Sequence, residues 1–123
     1  MSDEREAAQA MAKHFNWEPP GHLDVPGFIH DDAWDHWQRF FAIASRSITW
    51  CRVDPAAWRA DFSDTWIPDF RDQSSGEFLA LEQHIWHGFP DPPEWALHVV
   101  DRQSRTTRCL GCFDHWPESW SSQ

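Results

Sequence analysis

Tyrosine is absent from this 123-residue chain, lysine occurs once (Lys13), and there are only five glycines and three cysteines. Each shortage removes a class of function. The five glycines are scattered, so no Gly-rich phosphate cradle is present, and no serine stands in a Gly-x-Ser-x-Gly elbow. No apolar run approaches the ~20 residues that a membrane-crossing helix needs. The first residues, MSDEREAAQAMAKHF, are acidic and lack the apolar stretch of a secretory leader. With an odd cysteine count, this predicts reduced thiols in a cytoplasmic setting. Basic residues are scarce as well, 10 Lys+Arg against 20 Asp+Glu, for a formal net charge of -10. Such a charge disfavours direct contact with nucleic acid or an anionic membrane, both of which require basic side chains to release counterions. It favours a basic protein partner.

Aliphatic side chains are few too. Leu, Ile and Val number 5, 5 and 4, and with nine Phe they make about a fifth of the chain. That fraction at high net charge borders on the composition of disordered chains. Ten tryptophans reverse the expectation, since each ring can bury on the order of 200 Å². The core should therefore be aromatic. Buried indoles need acceptors for their N–H groups, so part of the tryptophan set is expected at half-exposed positions. A chain of 14.5 kDa fits a single domain over residues 1–123.

Hydrophobic spacing predicts a helix over 2–15, with Ala7, Met11 and Phe15 on one face. A Pro/Gly-punctuated loop follows over 19–30. A second helix starts at Asp31 or Asp32 and carries a stripe of Trp34, Trp37, Phe41, Ala44 and Ile48, with the pattern changing beyond about Ala44. Residues 48–53 read as a strand, and Asp54-Pro55 restarts a short helix through Trp58. Residues 61–75 have no periodicity and read as a loop. Ser74 and Glu77 have capping-box spacing ahead of Phe78, Leu81 and Ile85, which favours a third helix, although a strand also fits Leu79, Leu81 and Ile85. Residues 94–100 and 106–113 alternate as antiparallel strands, and Trp116 and Trp120 suggest a closing helical turn. The resulting class is α+β: N-terminal helices on a small antiparallel sheet of about three strands.

Three clusters could carry function. Cys109, Cys112 and His115 form Cys-x2-Cys-x2-His, a spacing that suits tetrahedral zinc, with Cys51 as a possible fourth ligand. On a regular strand, however, Cys109 and Cys112 fall on opposite faces. His30, Asp31, Asp32, Asp35 and His36 gather at the second helix, with Asp32 and His36 one turn apart. They suit a metal-dependent hydrolase or, more simply, a charge-matched helix start. Finally, residues 61–72 place Asp61, Asp64, Asp69 and Asp72 among Phe62, Trp66 and Phe70. Carboxylates beside aromatic anchors suit a basic partner surface, with Asp61, Asp64, Trp66, Asp69, Phe70 and Asp72 in contact.

No arrangement points to catalysis, and none requires a cofactor. The composition favours a small acidic binding protein that neutralises a basic, nucleic-acid-binding target, in the manner of an immunity protein, an antitoxin or a phage-encoded inhibitor. The alternatives are a zinc-stabilised module around Cys109, Cys112 and His115, and a metal-dependent hydrolase.

Overall fold

The computed structural model describes residues 2–19, 31–61, 66–72, 79–83, 94–101, 103–104 and 106–123. Helices α1 (Ser2–Phe15) and α2 (Asp31–Ala44) precede strand β1 (Ile48–Arg52) and helix α3 (Pro55–Asp61). Strands β2 (Phe70–Asp72), β3 (Leu79–Gln83), β4 (Trp95–Asp101), β5 (Thr106–Phe113) and β6 (Trp120–Ser122) follow. The strands make one six-stranded sheet in the order β5-β4-β3-β2-β1-β6. All neighbours are antiparallel except β1 and β6, which run parallel. The class is α+β, but the sheet is larger than three strands and α3 comes after β1.

Two of the added strands lie where the sequence suggested other structure. Phe70–Asp72 pairs on both sides, with β1 and with β3, inside the expected loop. Trp120–Ser122 adds to the sheet edge instead of coiling. Tertiary pairing over Leu79–Gln83 gives the strand that the sequence also allowed, in place of the helix expected to open at Ser74–Glu77. Leu79, Ala80 and Leu81 are all buried, Leu79 and Leu81 on one face of the sheet and Ala80 on the other. A central strand flanked on both faces has no polar side to show, so its pattern resembles a helix as readily as a strand. The loop over 19–30, apart from Pro19, and the rest of the expected third helix, residues 74–78 and 84–88, lie outside the described residues.

Alternation along the strands divides the core in two. One cluster joins α1 and α2 to Leu79, Leu81, Leu97, Leu110 and Phe113. The other joins Trp58 of α3 to Ala80 and Val100, with Trp66 and Ile67 packed against it. Helix α3 thus covers the reverse face of the sheet. Asp54 caps it, its Oδ1 accepting from the Ala56 N–H at 3.1 Å.

The helical stripes are turned from their predicted positions. Ala33, Trp37, Phe40 and Ile43 form the buried edge of α2, whereas Phe41 is 39% exposed and Trp34 is only partly buried. In α1, Ala12 and Phe15 are buried and Met11 is 40% exposed. Helix α1 ends in a Schellman motif: Trp17 N–H donates to Ala12 O at 2.8 Å and Asn16 N–H to Lys13 O at 3.0 Å. Asn16 takes the left-handed position, φ 52°, which asparagine tolerates well.

Aromatic rings connect the helices to the far edge of the sheet. Trp17 meets Trp37 at 5.3 Å between ring centres, Phe40 meets Phe113 at 5.0 Å, and Phe113 meets Trp120 at 5.7 Å. Trp120 also packs on Trp50, and its indole N–H donates to Ile43 O at 3.3 Å. Trp58 and Trp66 donate to Trp66 O and Glu82 Oε2. The indole nitrogens of Trp50 and Trp116, by contrast, are buried without a hydrogen-bond partner among the described residues. Ring packing outweighs an unmade hydrogen bond there.

Strand β5 contains a bulge. Leu97 pairs with Gly111 and His98 with Cys109, so Leu110 is the extra residue. Gly111 has φ 130°, and a β-carbon there would collide with Trp17 Nε1 and stand 2.9 Å from Glu18 O. Gly111→Ala combines backbone strain with overpacking and should cost about 2–5 kcal/mol in urea unfolding. In the same assay Trp37→Ala should cost about 3–5 kcal/mol, and Phe41→Ser under about 1 kcal/mol. Equal losses at 37 and 41 would contradict the observed rotation of α2.

Candidate functional site

The residues expected to meet a basic partner through 61–72 mostly turn inward or serve the fold. Phe70 is buried in the main core and Asp72 is 3% exposed, so neither can be a surface anchor in this fold. Trp66 packs edge-on against Trp58 and His98, at 5.9 and 4.8 Å between ring centres. Asp69 fastens the segment. Its Oδ2 accepts from the Gln83 N–H at 2.7 Å, its N–H donates to Leu81 O, and its carbonyl accepts from the Val53 N–H. The side chains of Asp61, Phe62 and Asp64 lie outside the described residues.

Cys51 stands apart from the rest of the candidate zinc set. Three strands separate Cys51 on β1 from Cys109 on β5, and the Cys51 thiol donates to Gln123 Oε1 at 3.0 Å. His115 is exposed beyond the end of β5. Among the described residues no group of three or more His, Cys, Asp or Glu side chains is placed to hold a metal ion. The second cluster also diverges. His36 is buried, whereas Asp35 is exposed and lies 3.4 Å from both Arg39 and Arg108. His30 and the side chains of Asp31 and Asp32 lie outside the described residues.

The fold instead creates a cleft of about 410 Å³ between α1 and α2, lined by Ala7, Ala8, Met11, Trp34, Phe41 and Ala42 among others. It follows from the rotation of both helices. Small alanines on α1 keep its wall low, while Trp37 closes the floor from the core side. Met11 and Phe41 are the large apolar side chains exposed among the described residues, and both line this one cleft. Sequence periodicity assigned them to the core, and only the packing of the neighbouring elements reveals their exposure. A second cleft, about 470 Å³, lies between α2 and β5 and carries Arg39, Arg46 and Arg108 over Ile43 and Leu110. Asp35 offsets the charge of two of these arginines.

On the reverse face of the sheet, His98 and Glu82 approach to 3.4 Å, and Cys109 and Cys112 lie beside them. No helix among the described residues is long and apolar enough to cross a membrane. No protein-family model, curated protein or solved structure matches this chain.

Proposed function

We propose that this chain is a small acidic binding protein that neutralises a basic protein partner, taking an apolar helix of that partner between α1 and α2. The functional class is that of an immunity protein, an antitoxin or a phage-encoded inhibitor, and the target is itself a nucleic-acid-binding protein. The observation that carries this reading is the pairing of exposed Met11 and Phe41 in one apolar cleft on a chain of net charge -10. Exposed large apolar side chains gathered in one place are a common mark of a contact surface. Methionine adapts to varied partners and an aromatic ring supplies anchoring energy. Helix-in-groove binding needs these features, an apolar channel with side chains that seat residues at helical spacing.

The charge has a separate task. It accelerates encounter with a basic partner and does not depend on any single loop, so the burial of Phe70 and Asp72 leaves it in place. The candidate contact residues Asp61, Asp64 and Asp69 contribute to this field, while Met11 and Phe41 replace Trp66 and Phe70 as anchors.

A synthetic amphipathic helix of leucine and lysine tests the reading, followed by tryptophan fluorescence because Trp34 and Trp37 line the cleft. Binding should weaken with rising salt, since charges beyond ~8–10 Å are screened. A leucine–glutamate peptide of the same pattern should not bind. Met11→Asp and Phe41→Asp should each weaken the lysine peptide at least tenfold, about 1.4 kcal/mol, without loss of the folded signal. Equal affinity of wild type and both variants would overturn the assignment of the cleft.

A further inference from the structure

Residues three apart on a regular strand point to opposite faces, which would keep Cys109 and Cys112 apart. The β5 bulge changes this. Cys109 pairs with His98 and Cys112 with Ala96, and these partners stand two apart on β4 and share a face. The extra residue, Leu110, turns the other way into the main core. Both cysteines therefore project from the reverse face, and the row between them, Leu97 with Gly111, turns no side chain to that face. Their thiols are near enough to influence each other's ionisation, and the Gly111 N–H donates to Cys109 Sγ at 3.4 Å. Neither is in a disulfide, and both are partly exposed.

From this geometry we infer that Cys109 and Cys112 form a reversible dithiol–disulfide pair, with Cys109 the attacking sulfur and Cys112 the resolving one. The inference stands on the bulge and is independent of the docking reading above. Its oxidant is a low-molecular-weight disulfide, RS–SR. The Cys109 thiolate attacks one sulfur; the RS–SR bond breaks, a Cys109–SR mixed disulfide forms, and RS⁻ leaves and takes up a proton. Cys112 then loses its proton and attacks Cys109 Sγ; the Cys109–Cys112 bond forms and the second RS⁻ leaves and is protonated. The protein gives up two electrons and two protons, and one RS–SR becomes two RSH.

The environment orders these two steps. The neighbouring Cys112 thiol is the main influence bringing the Cys109 thiol down to about 6; the charge of His98 and the Gly111 N–H add to it, and burial opposes it. The same interaction raises Cys112, as do its burial and the negative charges of Cys109, Glu18 and Glu82. At neutral pH Cys109 is thus the available nucleophile. Once Cys109 enters a mixed disulfide its negative charge is gone. Two of the causes that hold the Cys112 proton then vanish together, and resolution becomes possible only after attack.

The experiment uses the full chain with Cys51→Ser, treated with oxidised glutathione. Trypsin cuts after Arg108, and no Lys or Arg follows, so residues 109–123 leave as one peptide holding both cysteines. That peptide should lose two hydrogens, carry no glutathione, and regain both hydrogens with dithiothreitol. With Cys112→Ser added, the reaction should stop at one glutathione on Cys109. In the unoxidised protein, the alkylation rate of Cys109 should rise with pH to half its plateau near 6. Cys112→Ala should move that half-point upward and slow alkylation at pH 7 by about tenfold. Two stable glutathione adducts on the wild-type pair, or a half-point unmoved by Cys112→Ala, would overturn the inference.

Discussion

The close seat of Trp17 on Gly111 is the constraint on which the rest of the structure depends. A β-carbon at 111 would occupy the place of the indole, and φ 130° suits glycine. On one side of this contact, Trp17 closes the C-terminal turn of α1 through its bond to Ala12 O. On the other, Glu18 and Cys112 exchange backbone hydrogen bonds at 2.8 and 2.9 Å, adding a single bridge at the edge strand β5. Asp114 reinforces the junction, accepting from Asn16 Nδ2 and from the Glu94 N–H. The end of α1, the edge of the sheet and the bulge are thereby set together. The bulge in turn decides which way Cys109 and Cys112 point.

Tryptophan explains how so few aliphatic residues support a three-layer arrangement. The ring series from Trp37 through Trp17, Phe40 and Phe113 to Trp120 spans from α2 to the opposite sheet edge. Because β6 lies beside β1, the segment leading into it must return across the sheet. Trp116 fills that crossing, packing on Phe70, Trp95 and Trp120. Ser119 completes it, its hydroxyl donating to Ala44 O at 3.0 Å. Where the indoles of Trp50 and Trp116 leave their N–H without a partner among the described residues, each forgoes about 1–3 kcal/mol of polar satisfaction. A buried large ring recovers a comparable amount from the area it removes from water.

Local signals in the sequence located the elements whose features are themselves local. The Asp54-Pro55 restart, the spacing of α2 and the alternation of β4 and β5 lead directly to the observed helices and strands. Phe70–Asp72 and Trp120–Ser122 are three-residue strands without periodicity of their own, and they exist because neighbours pair with them. Periodicity also finds a helix more easily than its orientation. Trp34, Trp37 and Phe41 fit one stripe and Trp37, Phe40 and Ile43 fit another one residue away; sheet packing chose the second. For the thiols, the relevant signal was Gly111 between the cysteines. It reads equally as a turn for metal binding or as a bulge, and only the register with β4 distinguishes them.

That register can be measured directly by proton NMR of the reduced protein. The bulge predicts cross-strand contacts from His98 to Cys109 and from Leu97 to Gly111, with Leu110 unpaired. It also predicts β-proton contacts between Cys109 and Cys112, and contacts from the Trp17 indole to the Gly111 α-protons. An unbroken ladder, with Cys109 and Cys112 facing opposite sides and no Trp17–Gly111 contact, would contradict the account.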